Sequence, residues 1–241
     1  MATPAPAPAS ASVVPHVRRR LRCTVAPLTA TDHADYLALL ALTADEDRLP
    51  AEAGHILTMP PQGPLSTHGP ALCLTAHPRR GTDQQPVGAL FASYPDWAVE
   101  HPLARRSPGL TERLARRALL VYGVAVAPEH RGQGIARLLL TEAEQRARAV
   151  GYRMTTLIHT PDLAPFYERL GYVTARHVTI AMPDAAMGLT QLWPYMTAVK
   201  PLVPGVRVRD LPGAPGPVVS ALLPGWDLPA DARFENGRLI S

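Results

Sequence analysis

An almost unbroken apolar run at residues 118–127 predicts a strand that is covered on both faces. Pro128 ends this run, and a glycine-containing segment at residues 131–136 follows it. Apolar residues then recur at helical spacing up to Gly151, at Ile135, Leu138, Leu139, Ala143, Ala147 and Val150. The pattern therefore predicts a buried strand, a tight loop and a long amphipathic helix in direct succession.

The same kind of pattern predicts the remaining elements. Before this unit it predicts strands at residues 21–27, 71–77 and 87–94, a helix at 32–42 with Thr31 as N-cap, and short helices near 51–57 and 110–116. After this unit it predicts a strand at 154–159, a helix at 161–170, a strand at 173–182 and an antiparallel partner strand at 189–200. Strands and helices thus share the chain, which favours a mixed class.

The loop between the central strand and helix has the composition of an anion site. Gly132 and Gly134 lack the side chains that would keep a phosphate away from the backbone amides, and Arg131 and Arg137 add positive charge. The first turn of a helix has free N–H groups, and its dipole favours negative charge. The residues predict a phosphate or diphosphate site, and a plain turn that uses glycine for its geometry is the alternative.

Two sequence blocks resemble the GNAT superfamily of N-acyltransferases. The spacing Arg131-x-x-Gly134-x-Ala136 after a strand matches the acyl-CoA loop of that superfamily, R/Q-x-x-G-x-G/A. Further along, the sequence FYERLGY at residues 166–172 matches its F-Y-x-x-L-G-F/Y helix end. The resemblance implies an α/β (α+β) fold with a mixed central sheet flanked by helices, and an N-acetyltransferase that uses acetyl-CoA.

The resemblance also implies which residues contact the cofactor. The diphosphate would lie on the glycine loop, and the pantetheine arm would pair with the strand before it. The implied cofactor-binding residues are Val124, Ala125, Val126, Arg131, Gly132, Gln133, Gly134, Ile135, Ala136, Thr160 and Phe166. Thr160 departs from the superfamily, in which many members have an asparagine, and a hydroxyl cannot reproduce the hydrogen bonds of an amide.

Tyr167 matches the tyrosine that in many GNAT proteins protonates or hydrogen-bonds the leaving CoA thiolate. The reference pKa is about 10 for tyrosine and about 8.5 for a thiol, so full proton transfer is uphill by roughly 2 kcal/mol. A hydrogen bond to the thiolate, or a modestly lowered tyrosine pKa, would suffice. The resemblance thus implies that Tyr167 is catalytic; the alternative is that it only packs beside Phe166.

The acceptor amine must lose a proton before it can attack. An alkylammonium with a pKa near 10.4 is neutral about once in two thousand molecules at pH 7, so a general base or a water relay is expected. The sequence leaves several candidates for the base, each of which is equally well a surface or packing residue: Asp96, Glu100, His101, Tyr122 and His159. A weakly basic aromatic amine would need no base.

The resemblance implies that residues 43–70 and 95–117 build the acceptor site. The second segment is longer than the usual GNAT connection and contains five arginines: Arg105, Arg106, Arg113, Arg116 and Arg117. These would suit a carboxylate or phosphate, so a small acidic or amphiphilic amine is the expected acceptor, with a solvated face as the alternative. Transfer of another acyl group, transfer to a protein amine, and acyl-CoA binding without catalysis stay open.

Composition divides the chain into three parts. Residues 1–19 are rich in Ala, Pro and Ser and are predicted to be a disordered arm. Residues 20–202 are predicted to form the acyltransferase domain. Residues 203–241 are predicted to be a Pro- and Gly-rich extension that packs partly on the core or remains mobile. The extension would cover a sheet edge in its own chain or in a second copy, which leaves a homodimer open.

Several classes of partner are not expected. Cys23 and Cys73 fall in strand-like segments and are predicted to be buried thiols in a reducing compartment, which predicts a cytoplasmic protein. No Cys/His cluster has metal-ligand spacing, and no apolar run approaches the roughly 18 residues that span a membrane. The net charge is only +4 and the basic cluster at residues 18–22 is predicted to be solvated, so nucleic acid and membranes are not expected as partners.

Overall fold

The computed structural model describes residues 21–43, 48–79, 85–107, 109–182, 185–235 and 238–240; the predicted arm at 1–19 lies outside them. Its strands are β1 (Cys23–Pro27), β2 (Leu72–Pro78), β3 (Gly88–Ser93), β4 (Ala118–Val126), β5 (Met154–His159), β6 (Val173–Ala175), β7 (His177–Met182), β8 (Ala185–Thr190), β9 (Met196–Pro201), β10 (Arg207–Arg209), β11 (Val218–Ser220), β12 (Arg233–Glu235) and β13 (Arg238–Ile240). Its α-helices are α1 (His33–Leu40), α2 (Arg48–Leu57), α3 (Asp96–Glu100), α4 (Pro102–Arg106), α5 (Leu110–Ala115), α6 (Ile135–Ala149) and α7 (Ala164–Glu168).

A seven-stranded sheet forms the centre of the fold, in the order β1-β2-β3-β4-β5-β9-β6. Its neighbouring strands are antiparallel except β4 and β5, which run parallel and are joined through α6. One face packs against α6, and the other packs against α1 and α2. The predicted mixed sheet with flanking helices is confirmed.

The buried face of α6 differs from the predicted one. Its buried residues are Ile135, Leu139, Leu140, Ala143, Glu144 and Ala147. Leu138 and Val150, which the periodicity assigns to this face, are 39% and 38% exposed. The buried face is therefore rotated toward Leu140 and Glu144. The Glu144 carboxylate accepts hydrogen bonds from the Tyr172 hydroxyl (2.9 Å) and from Lys200 Nζ (2.6 Å). These two donors allow a charged residue to lie in the core.

The prediction of one strand at residues 173–182 is wrong. The strand breaks at Arg176, so that β6 pairs with β9 in the large sheet and β7 pairs with β8 and β11 in a second sheet. The predicted partner at 189–200 divides in the same way between β8 and β9. Because one residue of irregular backbone suffices to change sheets, the alternation of apolar residues hides the break.

Two predicted helices begin differently from the sequence interpretation. The helix predicted at 32–42 starts as a 3-10 turn (Ala30–Asp32) and continues as α1, and Thr31 provides no side-chain N-cap. The Thr31 hydroxyl instead lies 2.8 Å from the Thr29 hydroxyl. The helix predicted at 161–170 is likewise a 3-10 turn (Pro161–Leu163) followed by the short α7. Both predictions place the elements correctly and overestimate their α-helical length.

A second, four-stranded sheet joins the C-terminal segment to the rest of the chain, in the order β10-β11-β7-β8. Its core contains Leu110 and Leu114 of α5 together with Val219, Leu222 and Trp226. At one point the two backbones meet closely, because a Cβ placed on Gly216 would overlap the His177 carbonyl group. The described part of the segment at 95–117 and residues between 206 and 226 thus contribute side chains to one core beside the large sheet.

Two kinds of feature are absent from the described ranges. In this part of the chain, no helix is both long enough and apolar enough to cross a bilayer. Among the same residues, no group of three or more His, Cys, Asp or Glu side chains is arranged to hold a metal ion.

Candidate active site

A cleft opens where β4 and β5 separate. The two strands pair from Ala118 with Met154 to Val121 with Leu157, and both then continue without pairing to each other. The register between β3 and β4 also shifts at this level, which leaves Tyr122 as an extra residue in β4. A bulge of this kind bends a strand and redirects its side chains. The sheet therefore leaves one backbone edge of β4 without a strand partner in the described structure.

The separation of the strands creates a cavity of about 400 Å³, here named the central cavity. Strand β4 lines one wall with Leu120 through Val124, and the other wall comes from Ile158, His159, Thr160 and Tyr167. Other parts of the chain also contribute to the lining, with polar side chains from Glu52, Asp96, Gln191 and Tyr195 among them. The cavity brings together three of the residues predicted from the resemblance, namely Val124, Thr160 and Tyr167.

The glycine loop lies at the start of α6 and has the geometry expected of an anion site. Gly134 is the N-cap of α6 with φ +86°, Gly132 has φ +75°, and a Cβ on either residue would meet nothing within 4 Å. The first helical N–H groups have no intrahelical acceptor. Open space in front of unpaired amides at a helix N-terminus is suited to a diphosphate.

Three side chains of this loop have partners within the protein. Arg131 Nε donates to the carbonyl oxygen of Val126 (3.1 Å), and Gln133 Oε1 accepts from the backbone N–H of Leu21 (2.9 Å). Ile135 is buried in the main core. Of these predicted cofactor residues, Ile135 and Gln133 would thus offer their backbone amides to an anion, while the exposed Arg131 guanidinium stays near the end of β4.

The remaining predicted cofactor residues lie beside the cleft. Ala125 is buried against α1 and α2, and Val126 is half-buried against the core that contains α6. Phe166 packs on the same core and contacts the Tyr167 ring edge-on, with 5.0 Å between centroids. Their side chains therefore support the fold, and what β4 presents to the cleft at Ala125 and Val126 is backbone.

Tyr167 is held in a fixed orientation at the wall of the central cavity. It is 5% exposed, and its ring packs against His159 (5.0 Å between centroids) and Tyr172 (5.8 Å). Burial raises the pKa of Tyr167 to about 12. The modestly lowered pKa that would ease proton transfer is thus absent, and a neutral phenol that donates a hydrogen bond is the form present at physiological pH.

The candidate bases separate into two groups. Asp96, Tyr122 and His159 line the central cavity, whereas Glu100 and His101 line neither this cavity nor the one described below. His101 Nδ1 accepts a hydrogen bond from the Leu103 amide (3.2 Å), and burial lowers its pKa. His159 Nδ1 lies 2.8 Å from the Thr160 carbonyl oxygen, and its Nε2 is buried with no hydrogen-bond partner among the described residues.

Glu52 of α2 is a lining residue that the sequence analysis misses. The helix approaches β4 closely because Gly123 has no side chain; a Cβ there would lie 2.5 Å from Leu49 Cδ2. Glu52 then lies near Tyr122, whose pKa is raised first by burial and further by the carboxylates of Asp96 and Glu52. A glycine inside a strand is the sequence signal of such a close approach.

The five arginines of the 95–117 segment do not face the cleft. Arg116 pairs with Glu112 (2.6 Å), and Arg117 Nη1 donates to the Gly151 carbonyl oxygen (2.8 Å). None of the five lines either cavity. The interpretation that these side chains bind an acidic acceptor therefore has no support from the structure.

The raised pKa of Tyr167 makes a prediction for stability in alkali. The folded value of about 12 exceeds the unfolded value of about 10, so between these pH values the folded state binds more protons and stability falls as pH rises. We expect the raised pKa of Tyr167 to lower the free energy of unfolding by about 1.4 kcal/mol at pH 11 relative to pH 9. Urea unfolding at both pH values should show a smaller loss for Tyr167→Phe than for the parent; equal losses would contradict the assigned shift.

The comparisons with known proteins agree with this geometry. Residues 84–174 match the sequence profile of the acetyltransferase (GNAT) domain. The structure resembles Escherichia coli YhbS, a GNAT family N-acetyltransferase solved with CoA (TM-score 0.50, 20% identity, 85% of this chain and 92% of that chain). It also resembles Arabidopsis thaliana NAA60 solved with acetyl-CoA (0.50, 14%, 74% and 96%). A third similar structure is the NatC complex bound to Gag peptide and CoA (0.52, 15%, 76% and 100%).

The matched residues contain both elements that define the cleft, the β4–α6 loop and the end of β5, together with Tyr167. Residues 84–174 are a GNAT acetyltransferase domain, and this domain indicates an N-acetyltransferase. The resemblance drawn from the two sequence blocks is confirmed.

Proposed function

We propose that this protein transfers the acetyl group of acetyl-CoA to the primary amine of a small molecule. The observation that carries the proposal is the combination of an open glycine loop at the N-terminus of α6 and an unpaired β4 edge that leads to Tyr167. Two similar structures, YhbS and NAA60, were solved with CoA and acetyl-CoA respectively. The residues of the cleft fit such a co-substrate, because a Cβ on Gly132 or Gly134 would meet no other described atom within 4 Å and the loop is therefore open.

In this proposal the backbone supplies the binding groups. The amides of residues 132–136 hold the diphosphate, because the helix dipole and the free N–H groups both favour an anion there. The pantetheine arm exchanges backbone hydrogen bonds with the free edge of β4, as an added strand would. A backbone N–H of β4 aimed at the thioester carbonyl would stabilise the developing oxyanion by about 3 kcal/mol.

The Tyr167 hydroxyl acts as a hydrogen-bond donor to the leaving sulfur. With a pKa of about 12, complete transfer of its proton to a thiolate of pKa about 8.5 is uphill by roughly 5 kcal/mol. The hydroxyl therefore stabilises the thiolate while keeping its proton. The ammonium form of the amine first gives one proton to Asp96, His159 or water, and this proton passes on to solvent. The neutral nitrogen then bonds to the carbonyl carbon as the carbon–sulfur bond breaks, and its surplus proton reaches the thiolate.

The glycine loop gives the most direct test of cofactor binding. We expect Gly134→Val to weaken CoA binding at least 100-fold in calorimetry, because its methyl groups would stand in front of the free amides. Gly225→Val is the matched control, since Gly225 also has positive φ (+78°) and open space at its Cβ but lies far along the chain in the β11–β12 connection. Unchanged CoA affinity in a folded Gly134→Val variant would contradict the proposed site.

The activity itself is tested by thiol release from acetyl-CoA in the presence of a panel of amines, with mass spectrometry of the products. We expect amine-dependent thiol release and an acetamide product. CoA binding without amine-dependent release would favour a protein that binds acyl-CoA without transferring the acyl group.

A further inference from the structure

Tyr172 is a buried neighbour of Tyr167 that does not reach the cleft. It is 3% exposed, and it lines neither the central cavity nor a second cavity of about 480 Å³ beside α2. The chain turns back at Gly171 (φ +85°), and the Tyr172 amide donates to the Tyr167 carbonyl oxygen (3.1 Å). The two rings meet edge to face, with 5.8 Å between centroids and 71° between planes. Because buried rings are closely packed, a shift of the Tyr172 ring would displace the Tyr167 ring.

The hydroxyl of Tyr172 fixes the far end of its ring. It donates to Glu144 Oε1 (2.9 Å) and accepts from the Thr155 hydroxyl (3.3 Å), and both partner residues are buried. Burial and the Glu144 carboxylate raise the pKa of Tyr172 well above its usual value, so this phenol keeps its proton and remains a donor. A hydrogen bond to a carboxylate is charge-assisted and depends on direction. The ring is therefore held by directional bonds at its hydroxyl and by packing against Tyr167.

Lys200 supplies the positive charge that this arrangement requires. Its Nζ donates to the second carboxylate oxygen of Glu144 (2.6 Å) and lies 5.3 Å from the centroid of the Tyr172 ring. The Lys200 and Glu144 side chains are only 22% and 8% exposed. A buried ion pair is weak evidence for stability, because apolar residues of similar volume often stabilise a core equally well. Apolar residues could not, however, supply an acceptor for the Tyr172 hydroxyl.

We propose that Tyr172 and Glu144 are positioning residues for Tyr167, and that Lys200 keeps the Glu144 carboxylate in place for this role. This inference rests on the proposed function, in which the Tyr167 hydroxyl donates to the leaving sulfur. Glu144 orients the Tyr172 hydroxyl, the Tyr172 ring restrains the Tyr167 ring, and the Tyr167 hydroxyl keeps one orientation. A displacement of about 1 Å can cost on the order of 100-fold in rate, so this restraint affects catalysis without contact with a substrate.

Replacement of Tyr172 by Phe tests the link between the two rings. The superfamily pattern admits phenylalanine at this position, and the variant keeps the ring while it loses the hydroxyl. We expect kcat for thiol release, measured with the amine of the panel that gives the highest turnover, to fall about tenfold. The Kd for CoA and the KM for acetyl-CoA should stay within about twofold of the parent values, because the hydroxyl lines neither cavity.

Tyr36→Phe is the matched control for this variant. Tyr36 is also buried, and its hydroxyl donates to the Leu90 carbonyl oxygen (2.8 Å). It belongs, however, to the core on the opposite face of the large sheet, with α1 and α2. We expect Tyr36→Phe to lose stability in urea and to retain the kcat of the parent.

A double-mutant cycle separates positioning from general destabilisation. If Tyr172 acts through the Tyr167 hydroxyl, loss of the Tyr172 hydroxyl has no effect once the Tyr167 hydroxyl is gone. We therefore expect kcat of Tyr167→Phe/Tyr172→Phe to lie within about twofold of kcat of Tyr167→Phe. A purely structural role would lower kcat by the same factor in both backgrounds. Equal factors, or an unchanged kcat in Tyr172→Phe alone, would overturn the inference.

Two paired substitutions without a buried charge test Glu144 and Lys200. Glu144→Gln/Lys200→Met keeps an oxygen acceptor for the Tyr172 hydroxyl, whereas Glu144→Leu/Lys200→Met removes it. Neither variant leaves an unpaired buried charge, so we expect both to fold, as urea unfolding will show. We expect kcat within about threefold of the parent for the first variant and about tenfold lower for the second, with equal Kd for CoA. Equal kcat in the two variants would overturn the role of Glu144.

Measurements on the parent and on Tyr167→Phe separate failure of the inference from failure of the proposed function. The inference alone is overturned if the parent binds CoA and shows amine-dependent thiol release, Tyr167→Phe loses kcat, and Tyr172→Phe retains it. Absence of CoA binding to the parent, or of amine-dependent release, would overturn the proposed function and the inference together.

Discussion

Replacement of Tyr167 by Phe will lower kcat for acetyl transfer about 100-fold and leave the affinity for CoA within about twofold. The expected loss is that of one positioned proton donor. Tyr167 lines the central cavity, and Phe would keep the ring contacts with His159 and Tyr172 while removing only the hydroxyl. Thiol-release kinetics and calorimetry with CoA measure the two quantities separately.

The control for this prediction is Tyr152→Phe. Tyr152 is partly buried against the main core and lines neither cavity, so loss of its hydroxyl should leave kcat unchanged. If Tyr167→Phe retained kcat within a factor of two, the phenol would be only a packing group, and the proton donor would have to be sought among the other cavity residues.

The largest effect on stability is expected for Gly216→Ala. The added Cβ would overlap the carbonyl group of His177, which is backbone of β7 and cannot rotate away as a side chain would. We expect the free energy of unfolding to fall by about 3 kcal/mol, at the upper end of the usual cost of overpacking. Urea unfolding followed by circular dichroism measures this change.

Gly63→Ala provides the same substitution without the overlap. Gly63 is exposed, and the nearest atom to its Cβ would be Ser66 Oγ at 3.9 Å, so we expect a change within about 0.5 kcal/mol. Equal stability of Gly216→Ala and the parent would mean that the chain leading into β11 does not approach β7 as closely as described.

The sequence predicts most reliably those structural elements that depend on residues close together in the chain. The β4–loop–α6 unit follows from an apolar run, two glycines and helical spacing, all within residues 118–151. The break at Arg176 and the burial of Glu144 were missed, because both depend on distant strands. Glu144 lies in the core only because Tyr172 and Lys200 supply its hydrogen bonds, and no local pattern records those partners.

The contrast between features set by neighbouring residues and features set by distant ones also applies within the candidate site. Most residues predicted to hold the cofactor lie in the stretch 124–136, and only Thr160 and Phe166 lie further along the chain. The structure places all of them in or beside the cleft. The rest of the lining of the central cavity comes from separate parts of the chain, among them Glu52, Gln191 and Tyr195, so sequence position was a poor guide there. Glu100 and His101 lie outside the cavities although they adjoin Asp96 in sequence, whereas Glu52, far away in sequence, lines both.

The hydrogen bond between the Leu21 amide and the Gln133 side chain has a practical consequence. Whatever precedes Leu21 is therefore joined to the domain at a point beside the loop that would receive a diphosphate. Purification handles for ligand-binding work therefore belong at the opposite terminus, and a cleavable leader should be removed before affinities are compared.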